Sequence, residues 1–219
     1  MEGYLLFLAQ TDEVIVKYPK LKIIESEGQS IIKGEIDIVD SYGKYWTSYE
    51  IEIRYSPKFP NRFPILHETG GKIPKIGDWH VYEDSKACCL KIPPEEIIRC
   101  KNGISVLEFI EEEVIPYFFN QTHRMEVGYY VNGEYSHGAK GIYEYYSKIL
   151  GTSGNIKLTI KMLRFIALKS EPKRTSLCFC GSSNKYRKCH REAYRNIAKI
   201  NSVDLIYHVN YLESKKHLL

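Results

Sequence analysis

The sequence has no apolar run that approaches the about 20 residues a membrane-spanning helix requires. No secretion signal is expected at its start, because no positive leader precedes the short apolar run YLLFLA and acidic residues follow at once. There is no internal repeat and no low-complexity tract. With an apolar content of 43%, these absences predict a globular cytoplasmic protein, in a compartment where thiols stay reduced.

The cysteines limit the range of possible functions more than any other residue type. The chain contains six cysteines, and in a reducing compartment they indicate metal ligands, reactive thiols or small core residues rather than three disulfides. Three of them fall close together near the C-terminal end, whereas Cys88 and Cys89 are adjacent in the middle of the chain. Cys100 has no partner that the sequence identifies.

The formal net charge of +4 is unevenly distributed along the chain. Residues 1–150 contain 17 Lys and Arg against 23 Asp and Glu, a balance of −6, and residues 151–219 contain 14 against 4, a balance of +10. Such a division predicts two units with different surfaces. The basic end is expected to meet either nucleic acid or an acidic partner.

Three segments with strand character follow the N-terminal region, at residues 21–26, 31–40 and 45–55. The third has the clearest alternation, with apolar residues on one face and charged residues on the other. Because the segments are joined by short turns, they predict an antiparallel meander packed on one side. Residues 63–68, within a proline-rich stretch, predict a short edge strand.

Helical patterns occur mainly after the strands. Residues 105–120 have helical apolar spacing, with Ser105 as a candidate N-cap and Glu108 three residues on, and residues 141–150 form a second helical stretch. Residues 3–18 are a third candidate, although their β-branched patch disfavours a helix. Strands followed by helices, rather than alternating units, predict the α+β class.

Potential metal ligands cluster in the segment CFCGSSNKYRKCH. Cys178 and Cys180 are separated by one residue, eight residues follow, and Cys189 and His190 complete the set. Thiolates and imidazole suit a tetrahedral Zn²⁺ site, and a segment this short buries so little that the metal would supply its folding energy. The alternative interpretation is that reduced thiols are scattered in a basic tail.

The same string resembles the SEC-C motif, the small zinc knob at the end of the SecA translocase. The CxCGS start, the KYRKCH finish and the spacing carry the resemblance. It implies one structural Zn²⁺ held by Cys178, Cys180, Cys189 and His190, and a docking role for the knob. The basic residues among them either contact phosphate or an acidic protein, or form a solvated face. Aromatic residues are too sparse here for a single-strand nucleic-acid platform.

The adjacent cysteines lie in the loop DWHVYEDSKACCL, with His80 nine residues before Cys89. Two interpretations are open for such a pair. Both thiols are small buried core residues, or an exposed thiol near a histidine is a nucleophile that carries an acyl group. Neighbouring residues of an extended segment face opposite ways, so Cys88 and Cys89 are expected to differ in exposure. A cysteine peptidase is disfavoured because no third catalytic residue is evident.

A meander, a proline-rich segment, a histidine, a Cys-Leu pair and helices resemble the ubiquitin-conjugating enzyme (UBC) fold. The resemblance implies a UBC-like four-stranded antiparallel meander flanked by helices. Cys89, which precedes Leu90, would be the thioester-forming nucleophile, and His80 would organise the loop. Residues 80–82 read His-Val-Tyr, so the family asparagine that stabilises the oxyanion is missing, and the Tyr82 hydroxyl is a candidate replacement.

These departures, with the downstream string GEYSHGAKGIYEYY, resemble the UBC-like proteins of bacterial antiphage (CBASS) operons. That resemblance implies a transferase whose partner is a protein with a free C-terminal carboxyl, encoded in the operon as a cyclic GMP-AMP synthase-like nucleotidyltransferase. His137 would serve as base or orienter beside the cysteine, or else as a turn residue bonded to its own backbone.

Three regions are therefore predicted. Residues 1–150 would be a UBC-like conjugating domain, residues 151–176 a basic helical linker, and residues 177–219 a SEC-C-like zinc knob with a C-terminal helix. The string GTSG at residues 151–154 marks the first boundary. Besides acyl transfer, two other functions remain open: a non-catalytic UBC/RWD-type binding module, and a zinc-dependent nucleic-acid binder whose affinity would fall steeply with salt.

Overall fold

The structure is a computed structural model that describes residues 2–131 and 136–218. Its contacts divide the chain into two compact units. The first comprises Met1–Lys91 and Asn102–Glu134, and the second comprises Ile92–Lys101 and Tyr135–Leu219. The predicted mixed class is confirmed, since helices accompany a single antiparallel sheet in the described part of the chain.

Two short helices form the N-terminal region instead of one. Helix α1 spans Glu2–Ala9 and α2 spans Thr11–Lys17. The Thr11 hydroxyl donates to the Leu8 carbonyl at 2.7 Å, a local bond that competes with regular helix bonding. The predicted helix is therefore present, but it is interrupted at this point.

The four strands form a meander in the order β1-β2-β3-β4, with every neighbouring pair antiparallel. Glu27 and Gly28 form the two-residue turn between the first strands, and both have positive φ, 53° and 77°, as a type I′ hairpin turn requires. The predicted meander and its edge strand are confirmed. The strands are β1 (Leu21–Ser26), β2 (Gln29–Val39), β3 (Tyr45–Arg54) and β4 (Ile65–Glu68).

The alternation in β3 separates a buried face from a charged one, with one exception. Tyr49, Ile51 and Ile53 are buried as predicted. Glu52, predicted to lie on the solvent face, is only 8% exposed. Arg54 and Lys33 form ion pairs with its carboxylate, and pairing of this kind is what allows a carboxylate to be buried.

The long helix after the strands begins with a complete capping box. The Ser105 side chain accepts from Glu108 N at 3.1 Å, and Ser105 N donates to Glu108 Oε2 at 2.8 Å, which confirms the predicted start. The helix consists of α4 (Val106–Phe109), a π turn (Ile110–Val114) and α5 (Ile115–Val127).

Pro116 accounts for the position of the π turn. Proline lacks a backbone N–H, and its ring clashes with the carbonyl four residues earlier in a regular α-helix. In the wider π turn immediately before the proline, the hydrogen bonds span five residues and not four, so this carbonyl does not need the missing N–H. The helix therefore continues past the proline and ends at Gly128, which has φ 91°.

The second unit is helical in its described residues. Its core packs side chains from α3, α6, α7, α8 and α9, and the fully buried members include Tyr146, Met162, Leu163, Val209 and Leu212. The helices are α3 (Pro93–Arg99), α6 (Gly138–Leu150), α7 (Ile156–Leu168), α8 (Arg191–Ile197) and α9 (Ser202–Lys215).

The compact units do not coincide with the predicted regions. Helix α6, assigned from sequence to the first region, packs in the second unit together with α3 and α7. Gly151 and Gly154 have φ values of 60° and 75°, and they lie in the short connection between α6 and α7 inside that unit. As a division into domains, the boundaries at residues 150 and 176 stay a prediction.

Across residues 2–131 and 136–218, no helix combines the length and the apolar character that crossing a membrane would require.

Candidate functional site

The structure brings the four predicted metal ligands together in the second unit. The ligand atoms of Cys178, Cys180, Cys189 and His190 all lie within 4.8 Å of one another. Sγ of Cys180 and Sγ of Cys189 are 3.8 Å apart, and Nδ1 of His190 lies 3.4 Å from Cys178 Sγ and 3.0 Å from Cys189 Sγ. With Zn–S of about 2.3 Å and Zn–N of about 2.0 Å, a tetrahedral site places two sulfurs about 3.8 Å apart and a sulfur and a nitrogen about 3.5 Å apart. The Cys180–Cys189 and Cys178–His190 distances match these values and the Cys189–His190 distance is shorter, so the cluster is compatible with a tetrahedral Zn²⁺.

Backbone bonds fold the segment so that distant ligands meet. Leu177 pairs with Lys185 in an isolated antiparallel bridge, and Cys178 N donates to Asn184 O at 2.9 Å. The turn between them uses Gly181 at φ 88°, a conformation that glycine adopts without a Cβ penalty. A short 3₁₀ turn at residues 186–188 then brings Cys189 and the following histidine back to the first two cysteines.

A backbone carbonyl determines which nitrogen of His190 faces the cluster. Nε2 of His190 donates to the Leu150 carbonyl at 2.9 Å. The proton is therefore on Nε2, and the lone pair of Nδ1 faces the cysteine sulfurs, where it can bind a metal ion. Leu150 is the last residue of α6, so an outer hydrogen bond ties the cluster to a helix that the sequence pattern placed elsewhere.

Ser182 is a functional residue that sequence reasoning did not single out. Its backbone N–H donates to Cys180 Sγ at 3.4 Å, and its hydroxyl lies 3.1 Å from Cys180 Sγ and 3.4 Å from Cys189 Sγ. Burial opposes ionisation of the Cys180 thiol, but the two bonds from Ser182, together with those from Cys178 and Cys189, outweigh it and lower the pKa of Cys180 to about 6. The thiolate is the form that binds metal. In the sequence, the serine of the CxCGS pattern could have indicated this contact.

Aromatic side chains join the cluster to the helices around it. The Phe179 ring, between two ligands, stacks on Phe165 of α7 with centroids 4.7 Å apart and planes 3° apart. Tyr186 is fully buried in the same core, and the Tyr194 hydroxyl donates to the Lys169 carbonyl at 2.7 Å. The cluster and α7 thus share one hydrophobic core.

The adjacent cysteines of the first unit have different environments, as their alternation predicts. Cys88 is only 7% exposed, its N–H donates to Leu66 O at 2.8 Å, and burial raises the pKa of its thiol to about 11. Cys89 is partly exposed. Its Sγ lies 3.3 Å from the Tyr82 hydroxyl. Tyr82 is the residue that the UBC resemblance gives as a candidate oxyanion donor.

Helix α5 holds the backbone that carries His80. Three side chains spaced along one helix face donate to the carbonyls of three consecutive residues, 78–80, and we call this set the carbonyl clamp. The pairs are Tyr117 with His80 (3.1 Å), Gln121 with Trp79 (3.0 Å) and Arg124 with Asp78. The bonds to His80 and Trp79 are partly buried and the bond to Asp78 is exposed. Because a carbonyl withdrawn from water is costly to leave without a partner, the two inner bonds restrain the loop most.

His80 contributes to this loop through its backbone. It has φ 50° and ψ 46°, the left-handed region that non-glycine residues seldom occupy. Its carbonyl accepts from Cys89 N at 2.7 Å as well as from Tyr117, and its ring packs on Tyr130 with centroids 4.9 Å apart. These contacts link the backbone of His80 to Cys89, and the role of its imidazole stays a prediction.

The remaining predicted residues lie in the second unit. His137 is exposed and occupies the N-cap position of α6, whereas Cys89 and His80 belong to the first unit. The role of His137 beside Cys89 stays a prediction. Cys100, at the end of α3, is completely buried, which is the ordinary environment of a small core thiol.

Comparison with protein families matches the SEC-C motif at residues 174–192, a range that includes all four cluster residues. A search of curated proteins found no match, and a search of solved structures found none. The chain therefore carries a motif of a zinc-binding type with a complete Cys₃His ligand set. The resemblance of the remainder to the UBC family stays a prediction.

We expect the purified protein to hold one zinc ion per chain. Cys189→Ser should abolish the bound metal, because three ligands no longer close a tetrahedral site. Cys89→Ser should retain it, because that thiol lies outside the cluster. Native mass spectrometry after zinc loading measures both, and a metal-free wild-type chain would contradict the assignment.

Alkylation should distinguish the adjacent thiols. At neutral pH iodoacetamide is expected to label Cys89 well before Cys88, because Cys88 is buried and its pKa of about 11 leaves it protonated. Peptide mapping of the zinc-loaded protein at short times measures the order. Cys89→Ser should remove the fast phase, and equal labelling of both thiols would be inconsistent with the structure.

Removing the middle donor of the carbonyl clamp should loosen the cysteine loop. Gln121→Leu removes the 3.0 Å bond to the Trp79 carbonyl, which keeps a 3.5 Å bond from the Tyr117 hydroxyl, and it also removes the bond that Tyr130 donates to Gln121 Oε1. The expected cost is about 1–3 kcal/mol in the free energy of unfolding. Urea unfolding followed by tryptophan fluorescence measures it, because both tryptophans, Trp46 and Trp79, lie in the first unit. The exposed substitution Met125→Leu on the same helix is the control, expected within about 0.5 kcal/mol of wild type.

Proposed function

We propose that the chain is a UBC-like conjugating protein in which Cys89 carries an acyl group. The observation that supports this most is the contrast within the adjacent pair. Cys88 is buried with a raised pKa, while Cys89 is partly exposed beside the Tyr82 hydroxyl. A nucleophilic thiol must reach its substrate, and only an accessible one does so.

The reaction is acyl transfer in two steps. The Cys89 thiolate attacks the carbonyl carbon of a protein C-terminus already activated as an acyl adenylate or a thioester. A C–S bond forms, the adenylate or thiolate leaves, and the thiol proton passes to solvent. An amine nitrogen then attacks the thioester, the C–N bond forms, the C–S bond breaks, and the amine releases a proton while the thiolate is restored.

Tyr82 is the residue we assign to the oxyanion. Each attack leaves a negative charge on the former carbonyl oxygen, and a donor positioned for it typically contributes about 10²–10³ in rate. The Tyr82 hydroxyl lies 3.3 Å from the nucleophilic sulfur. It would supply the hydrogen bond that asparagine gives in the UBC family. His80 would position the loop, and His137 is proposed as base or orienter.

The partner follows from the resemblance to the CBASS-type group. We propose a protein with a free C-terminal carboxyl, encoded near this chain as a cyclic GMP-AMP synthase-like nucleotidyltransferase, and a role in antiphage defence. The setting would be the cytoplasm, where both thioester and metal thiolates persist. The Cys₃His cluster would hold a structural Zn²⁺ in a knob that helps dock a partner.

A non-catalytic UBC/RWD-type binding module is the second candidate. Residues 80–82 lack the asparagine of the family tripeptide, and the contacts of the His80 backbone described above are structural. In that case Cys89 would remain unacylated with every partner, and the zinc knob would be the docking element.

Intact-mass measurement after co-expression with the genomic neighbours, under non-reducing conditions, tests acyl transfer. Wild type should gain a protein-sized mass that neutral hydroxylamine removes, because thioesters are labile to it. Cys89→Ala should abolish the adduct, and Cys89→Ser should convert it to an ester that resists neutral hydroxylamine.

Cys88→Ala is the matched control, since it removes the neighbouring thiol and should leave the adduct intact. An unmodified mass with every neighbour combination would favour the binding module. An adduct that survives Cys89→Ala but not Cys88→Ala would identify Cys88 as the acylated residue and contradict the assignment to Cys89.

A further inference from the structure

A cleft with a volume of about 530 Å³ lies along α7 in the second unit. Volumes of this order are usual for ligand-binding clefts. Its lining combines an apolar floor with a cationic rim, and apart from Phe179 it uses none of the residues of the SEC-C match. The cleft therefore contains none of the four ligands of the Cys₃His cluster, although Phe179 lies between two of them, and the proposed acyl transfer does not use it.

The floor exposes apolar surface of a kind that proteins usually cover. The stacked rings of Phe165 and Phe179 are both half-buried, and Leu168 beside them is 61% exposed. Ile160 continues the surface from the buried core. Contiguous apolar surface rimmed by charge commonly marks an interaction site.

The rim concentrates positive charge. Lys157, Lys161 and Arg164 are spaced four and three residues apart, so they form one stripe along α7. Lys169 and Lys216 add two further cations to the rim, against a single carboxylate, Glu213, which pairs with Arg164. Like charges gathered around one cleft repel each other, and an anionic ligand relieves that repulsion.

We propose that this cleft binds an acidic amphipathic segment of a partner protein. A leucine or phenylalanine of the segment would pack on the floor formed by Phe165, Leu168 and Phe179. Aspartate or glutamate residues on either side would pair with the lysines. Residues 157 and 169 are about 18 Å apart along the helix, a span that about five or six residues of extended peptide cover.

The lining favours a peptide over nucleic acid. The two phenylalanine rings stack on each other, so they do not present a free pair of faces between which a base could insert. Among the described residues that line the cleft, none carries an amide side chain that would read a base edge. Lysine ammonium groups, which make up four of the five cations, pair readily with scattered carboxylates.

Fluorescence anisotropy with the full, zinc-loaded chain tests the proposal. The probe is a fluorescein-labelled peptide of about a dozen residues in which Leu and Phe alternate with Asp and Glu. We expect saturable binding that weakens as salt is raised. The double variant Lys157→Glu/Lys161→Glu should weaken it about tenfold or more, because it reverses charge on the rim.

Leu168→Asp is the second variant and removes apolar floor at an exposed position, with a similar loss expected. Lys140→Glu/Lys148→Glu, two exposed residues of α6 outside the cleft, is the charge-matched control and should change affinity by less than about twofold. An equal loss with Lys140→Glu/Lys148→Glu, or no saturable binding, would overturn the proposal. So would single-stranded RNA that binds more tightly than the peptide and is weakened by the same cleft variants.

The acyl-transfer assay separates this inference from the proposed function. The cleft lies wholly in the second unit and the inference does not require Cys89 to be reactive. If the chain binds the acidic peptide but forms no adduct, the cleft proposal is supported and the conjugating activity is contradicted. If the chain forms the adduct but does not bind the peptide, the conjugating activity is supported and the cleft proposal is contradicted.

Discussion

The cysteine loop depends on the satisfaction of three consecutive backbone carbonyls. Residues 78–80 direct these groups at α5, where the carbonyl clamp supplies a donor for each. The carbonyls of Trp79 and His80 are partly withdrawn from water, and without partners they would destabilise the loop. With them satisfied, His80 is held in a left-handed conformation, and its carbonyl still accepts from Cys89 N. Cys89 is thereby bonded to the restrained backbone, and its exposure differs from that of Cys88 as the alternation predicts.

The SEC-C segment of the second unit is stabilised in a different way. A segment of nineteen matched residues is too short to enclose a core of its own, so stability has to come from a metal and from a neighbour. The ligand geometry is compatible with a stabilising metal. The Phe179–Phe165 stack and the buried Tyr186 provide the packing against neighbouring helices. The bond from His190 to Leu150 joins the two. The ligand cluster is thereby part of the helical core.

Local features were readable from the sequence, and long-range ones were not. Strand alternation, the capping box at Ser105 and the Cys/His spacing each depend on residues close in the chain, and the structure confirms them. The burial of Glu52, the packing of α6 and the Leu150 carbonyl depend on contacts between distant segments. No periodicity records those contacts. The carbonyl clamp was missed for the same reason, although its donors share one helical face.

The π turn before Pro116 has a consequence for how this helix could have evolved. A π turn is equivalent to one additional residue in an α-helix, and each residue turns an α-helix by about 100°. Relative to a regular helix, everything from Ile115 onward is therefore rotated with respect to α4. Deleting one residue within the π turn would return this segment to α geometry and leave the donors of α5 facing the loop. An extra residue without such a wider turn would instead rotate them by about 100°, so the π turn keeps the carbonyl clamp in phase with α4.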